Sequence, residues 1–216
     1  MNSWVIIPVK PFKQGKSRLR AYFTRNDLYA LNCNLFRQTI ETVKAAACFE
    51  HILVISRGRH ARSTALEAGL EALVEHRPSS LNAAVSQAMD FVSKQGGGQT
   101  LVLPTDLPLL QAEGLKNLKA QIPDRGVLII PDHFYKGTNA LAMSSPGLIE
   151  PKFGTNSFQA HCLQAQDRGL NLSVYYDQAI MQDLDTQPDL SLISRDHHLL
   201  KPISREERIE VLCSKE

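Results

Sequence analysis

Five basic side chains, Lys10, Lys13, Lys16, Arg18 and Arg20, fall within PVKPFKQGKSRLR (8–20), directly after the apolar run WVIIPV. Lysine offers a mobile point charge and arginine a planar two-pronged donor, and both hold phosphate oxygens well. Lys16 and Arg18, two residues apart, reach into one pocket if the loop is extended. A solvated surface turn would have the same composition. The position argues for binding, because the loop leaves what reads as a core strand. GKS (15–17) matches the tail of a GxxxxGK[ST] phosphate loop. That motif is excluded: its first glycine would stand where Lys10 is, and Pro8 and Pro11 lack the amide hydrogens it uses. No GxGxxG follows any strand, so a dinucleotide-binding fold has no support.

Three aspartates could answer that positive charge. Asp106 follows LVLPT, and Asp183 and Asp185 are spaced by two in MQDLDTQ. In extended chain this spacing puts both side chains on one face. Carboxylates held together repel unless a cation or base lies between them. The pair could instead be exposed aspartates, with Asp185 or Thr186 opening a helix over TQPDLSLIS. Asp132, in IIPDHFYKGTN, could be a ligand or could cap the turn after it. In GTNAL and FGTNSF, Gly137 and Gly154 allow close backbone approach, and Ser157 begins a helix whose free amides would attract an anion. A plain turn and cap would look the same. His161 lies one helical turn after Ser157, placed either to touch such an anion or to serve the core. There is no G-x-S-x-G and no cysteine in a nucleophile motif.

These residues are carried by alternating strand and helix patterns. WVIIPV, HILVIS, ALVEH, TLVLPTD and GVLIIPD read as buried strands, and TNALAMSS and NLSVYY as two more. Between them run a long amphipathic helix over RNDLYALNCNLFRQTIETVKAA and shorter helices over RHARSTALEAG, SSLNAAVSQAMDFVSKQGGG, AEGLKNLKAQI and GTNSFQAHCLQAQDRG. Continuous β-branched runs alternating with helices predict an α/β fold with a mostly parallel sheet covered on both faces. Ligands of such sheets bind beyond the carboxyl ends of the strands, where the basic loop and Asp106 fall.

The 216 residues fit a single domain over 1–216, with about 196–216 as a polar C-terminal extension. A net charge of +2 is too small to argue for nucleic acid or an anionic membrane as partner. The four cysteines show no CxxC and no metal-type pairing with histidine, so they read as reduced packing residues. No N-terminal signal pattern and no apolar run of about 20 residues is present, which predicts a cytoplasmic protein.

The motifs IPVKPFKQGKSRL, LVLPTDLPLL, GTNAL, FGTNSFQAH and DLDTQPDL, in this order over about residues 4–190, resemble those of a specific family. It is the guanylyltransferases that activate 2-phospho-L-lactate, phosphoenolpyruvate or 3-phospho-D-glycerate in coenzyme F(420) biosynthesis. The resemblance implies a nucleotidyltransferase (glycosyltransferase A-like) three-layer α/β/α sandwich with a mixed, mostly parallel sheet. It implies GTP held by Lys10, Lys16, Arg18 and Asn82, catalysis by Lys16, Arg18 and Asp106, and Mg²⁺ on Asp106, Asp183 and Asp185. The phospho-acid would lie on Thr138, Gly154 and Ser157. Pro108 stands where some relatives of the fold keep a second acidic residue. The resemblance also carries the expectation of a homodimer or a hand-off to the enzyme that consumes the labile product. Molybdopterin or sugar-phosphate nucleotidyltransferases would share Asp106 but show a glycine-rich first loop. A non-catalytic nucleotide-binding protein would keep the loop and lose the aspartates.

Overall fold

A computed structural model describes residues 2–76, 80–193 and 198–202. Its chain order is β1 (Ser3–Val9), α1 (Arg25–Ala46), β2 (His51–Ser56), α2 (Arg59–Glu67), β3 (Glu71–Val74), α3 (Leu81–Lys94) and β4 (Gln99–Val102). These are followed by α4 (Ala112–Ala120), β5 (Gly126–Pro131), β6 (Thr138–Met143), α5 (Ser157–Asp167), β7 (Asn171–Val174) and the single turn α6 (Gln178–Met181). The strands form one sheet in the order β3-β2-β1-β4-β6-β5-β7. Every pairing is parallel except those of β6, which runs against both β4 and β5.

Strand β1 is buried along its whole length because its two faces feed two cores. Val5, Ile7 and Val9 join α1, α2, α4 and α6 on one side, while Trp4 and Ile6 join α3 and α5 on the other. This is the three-layer sandwich that continuous apolar strands require. Thr24 and Asp27 close a capping box at the start of α1, each side chain accepting from the other's backbone N–H.

Two irregularities position functional groups. The predicted strand TLVLPTD leaves the ladder early. Leu103 donates the last backbone bond, to the Ile6 carbonyl, and Pro104 has no N–H to continue the ladder. Thr105 and Asp106 are thereby released onto the rim. In β6, Ile130 pairs with Ala140 but Pro131 pairs with Thr138, leaving Asn139 as an extra, bulged residue. Strict alternation would put Thr138 on the same face as Ala140; the bulge turns it to the α5 side instead. Because β6 is antiparallel, its first residue arrives at the rim where the other strands end.

A third apolar cluster lies outside the sandwich, on the far side of α1. Leu28, Leu31 and Leu35 pack there with Leu19 from the basic loop, Leu184 from the aspartate segment, and Ile193 and Leu199. Leu28, Leu31, Leu35, Ile40 and Val43 read from sequence as one helical face, whereas the structure divides them between two cores. Residues expected to form an exposed C-terminal extension partly join this cluster: Leu199 is fully buried, and the Asn34 amide donates to the Leu199 and Lys201 carbonyls. Residues 196–197 and 203–216 of that extension lie outside the described ones. The helix expected over TQPDLSLIS is only a 3-10 turn, Pro188–Leu192. Among the described residues no helix is long and apolar enough to cross a membrane.

Leu184 is fully buried between two aspartates, so its truncation tests whether packing holds the charged segment. Leu184→Ala is expected to cost about 2–5 kcal/mol in urea unfolding, the range for deleting a buried leucine. A cost below about 1 kcal/mol would mean the cluster does not anchor this segment.

Candidate active site

The basic loop and the aspartate segment meet at the rim. Lys16 Nζ lies 3.3 Å from Asp106 Oδ2 and 3.6 Å from Asp185 Oδ1, with its side chain only 6% exposed. Arg18 Nη1 donates to Asp185 Oδ2 at 2.8 Å, with 71% of its side chain exposed. Asp106 also receives the Leu184 amide at its carbonyl, a backbone bond of 2.8 Å that docks residues 183–185 on the segment that follows β4. The loop is not extended as expected. Lys16 adopts a left-handed conformation (φ 54°, ψ 41°) and Ser17–Leu19 form a 3-10 turn. That turn sends Leu19 into the third cluster and leaves Lys16 and Arg18 both facing Asp185.

Beside this cluster opens a cavity of about 380 Å³, lined among others by Lys10, Lys16, Asp106, Asp185, Arg57 and Glu75. Gly15 is pressed against Asn32, whose amide a Cβ there would meet at 2.6 Å. Lys13, Arg18 and Arg20 are exposed and do not line the cavity, so Lys16 enters the expected pocket without Arg18.

Asp183 pairs with Asn139, whose amide donates to Asp183 Oδ1 at 3.4 Å and to the Ile180 carbonyl at 3.0 Å. Burial, with the negative charges of Asp106 and Asp185, holds the Asp183 carboxyl above its ordinary range, against the opposing hydrogen bond from Asn139. Asp189 folds back to accept from the Asp185 and Thr186 amides, fixing the segment from below; these bonds draw its own carboxyl down although burial pushes the other way. Neither Asp185 nor Thr186 caps the short turn that follows: its N-cap is Gln187, without a side-chain bond.

On the other side of the bulge lies a second constellation. Thr138 Oγ1 is 3.0 Å from His161 Nδ1, and His161 Nε2 accepts the Lys152 backbone N–H at 2.9 Å. Ser157, the first residue of α5, is 1% exposed and its hydroxyl has no hydrogen-bond partner. Gly154 has φ +133°, with nothing near the position of a Cβ. The free helix amides expected here are spent: Ser157 N–H donates to the Gly154 carbonyl and Phe158 N–H to that of Lys136. Hydroxyl groups, rather than these two amides, are what this corner offers an anion.

The family model described as "Guanylyl transferase CofC like" matches residues 3–200. The chain belongs to that family. It is 31% identical over 190 residues to the phosphoenolpyruvate guanylyltransferase of Sphaerobacter thermophilus, covering 88% of this chain and 91% of that one. It is 31% identical over 195 residues to the 2-phospho-L-lactate guanylyltransferase of Methanothermobacter thermautotrophicus, covering 89% and 84%. A solved nucleotidyl transferase from the latter organism superposes with a TM-score of 0.65 at 14% identity, over 91% of this chain and 97% of that one. The fold is therefore that of the nucleotidyltransferases.

Within this guanylyl transferase framework two expectations change. Asn82 does not line the cavity. Its Oδ1 accepts the Phe153 N–H at 2.7 Å and its Nδ2 donates to the Phe153 carbonyl at 3.1 Å, so its amide clamps the FGTNS loop and is not presented to a base. The three aspartates are not gathered into a ready-made cage, and no such group of acidic, histidine or cysteine side chains exists among the described residues. Lys16 lies between two of them and Asn139 holds the third. As a donor set, a few carboxylate oxygens suit Mg²⁺, a hard cation that takes few protein ligands. Asp132 proves to be a turn cap, its Oδ1 accepting the Lys136 N–H.

Sequence reading passed over Arg57 and Glu75, at the carboxyl ends of β2 and β3, 3.7 Å apart. Their place directly after two short strands was the available signal. It also passed over Asn139 and Asp189, which act on the aspartates through contacts no spacing encodes.

A carboxyl raised by its surroundings costs stability when ionised, and that cost fades as pH falls below its folded-state value. Asp183→Asn keeps the oxygen that accepts from Asn139 and removes the charge. Its Tm at pH 7 is expected to equal or exceed that of the parent, with the difference shrinking toward pH 4. A clear fall in Tm at pH 7 would contradict this electrostatic reading.

Proposed function

We propose that the protein transfers GMP from GTP to the phosphate of a small three-carbon phospho-acid: phosphoenolpyruvate, 2-phospho-L-lactate or 3-phospho-D-glycerate. The observation that carries this is the cavity whose wall joins Lys16 to Asp106 and Asp185, in a chain of the guanylyl transferase family. A phosphate oxygen of the acid attacks the α-phosphorus of GTP. One P–O bond forms as the α–β bridging bond breaks, and pyrophosphate leaves with the electron pair. A phosphate monoester is largely dianionic at neutral pH, with its second pKa near ~6, so no general base is needed.

The work left to the protein is positioning and charge neutralisation. Lys16 and Lys10 supply positive charge along the triphosphate, with Arg18 at the outer edge. Mg²⁺ would be held by Asp106, Asp183 and Asp185, and when bound it neutralises phosphate charge. Thr138, Ser157 and the Gly154 backbone seat the acid. In the cavity wall Glu75 takes the role first given to Asn82. Guanine presents N1–H and N2–H₂ as adjacent donors that a carboxylate accepts together, whereas adenine lacks that pair.

The decisive experiment incubates the protein with GTP, Mg²⁺ and each acid in turn and identifies the guanosine diphosphate adduct by mass. No adduct with any of the three would refute the proposal. Asp106→Asn is expected to lower turnover at least 100-fold while GTP binding by calorimetry changes less than about threefold. Lys16→Ala should raise the KM for GTP about tenfold or more. Glu75→Gln should erode the preference for GTP over ATP at least tenfold; unchanged selectivity would remove Glu75 from base recognition.

A further inference from the structure

We propose that His161 is a positioning residue of the acceptor seat: it fixes the hydroxyl proton of Thr138 so that Thr138, together with Ser157, donates to the phosphate of the incoming acid. This rests on the reading of Thr138 and Ser157 as the acid's seat.

The argument is one of hydrogen inventory. The Lys152 backbone N–H can only donate, and it points at His161 Nε2 from 2.9 Å. A ring nitrogen that accepts carries no hydrogen, so the neutral ring bears its proton on Nδ1. Nδ1 lies 3.0 Å from Thr138 Oγ1 and therefore donates to it. A hydroxyl that accepts from Nδ1–H must send its own hydrogen elsewhere. Were the ring proton on Nε2, two donors would face each other at Lys152; were both nitrogens protonated, the same clash would remain. The surroundings keep one neutral form. His161 is completely buried, the Phe153 ring meets it edge-on at 5.2 Å, and burial, with the positive charge of Lys152, depresses its pKa to about 4.

Ser157 provides the independent observation. Its hydroxyl is buried and unpartnered, in a corner where the two leading helix amides are already bonded. Buried hydroxyls of this kind are costly unless they serve a ligand. The bulge at Asn139 supplies the geometry, since it alone turns Thr138 to the face where His161 and α5 lie. His161 thus touches no reacting atom but decides which way the Thr138 dipole points.

Two substitutions separate this role from simple packing. His161→Gln places a side-chain oxygen to accept from Lys152 and loses the donor to Thr138. His161→Asn keeps an N–H toward Thr138 and loses the acceptor. With phosphoenolpyruvate, 2-phospho-L-lactate or 3-phospho-D-glycerate, whichever is turned over, His161→Gln is expected to raise the acid's KM about tenfold or more and leave the KM for GTP within twofold. His161→Asn should restore the acid's KM to within about threefold of the parent. In a Thr138→Val background His161→Gln should add nothing. Equal damage by both substitutions, or a full effect surviving in Thr138→Val, would overturn the proposal. Nitrogen-15 shifts of the unsubstituted protein decide the tautomer without substrate or variant: an Nδ1–H form is expected, and an Nε2–H or doubly protonated form at pH 7 would refute it. Absence of transfer to all three acids would refute the assigned function, and with it the acceptor role of Thr138, even if the tautomer is as described.

Discussion

Leucines, more than ions, bring this site together. Arg18 and Asp185 are separated by 167 positions along the chain, and Lys16 and Asp106 by 90. An exposed pair such as Arg18–Asp185 is worth about 0–1 kcal/mol. The left-handed backbone at Lys16 costs on the order of 1–3 kcal/mol. Charge attraction alone would barely hold the loop. Burying Leu19 and Leu184 contributes about 1.5–3 kcal/mol each, and these residues lie immediately beside Arg18 and between the two aspartates. Apolar packing against the outer face of α1 thus holds in register the opposite charges that a nucleotide would exploit. The ammonium group of Lys16 is kept nearly out of water, where its field is least screened.

Much of this was legible in the sequence, for reasons that are local. The strands announce themselves because a sheet covered on both faces needs unbroken apolar runs, and WVIIPV and GVLIIP have them. The rim position of Asp106 follows from its place after LVLPT, helped by Pro104, which ends the ladder. What stayed hidden depends on pairings between distant segments. The spacing of Asp183 and Asp185 suggested one shared face. In the folded chain Leu184 is buried between them and their partners differ, Asn139 for Asp183 and Lys16 for Asp185, which the spacing does not encode. Asn82 offered a donor and an acceptor suited to a base, but the Phe153 backbone claims both. Its chemistry was read correctly and its neighbour could not be.

The bulge at Asn139 was equally invisible, since one extra residue in a six-residue strand leaves no mark on hydrophobic alternation. Its effect is large for its size. It gives neighbouring residues opposite duties: Thr138 looks to His161, and Asn139 to Asp183. The two sites therefore share a single stretch of backbone, and any shift in that stretch is felt by both.

Reversal of β6 carries a longer-range consequence. Residues up to 106, joined by Asp185, line the large cavity, while Thr138 and residues 152–161 build the hydroxyl-lined corner, and β6 brings Thr138 to the same rim because it runs against its neighbours. With the acid seated in that corner, as proposed, the corner's shape can change with little disturbance to the Lys16–Asp106 wall, because the two belong to different stretches of chain. Two relatives named for different small acids each match this chain over nearly nine-tenths of its length.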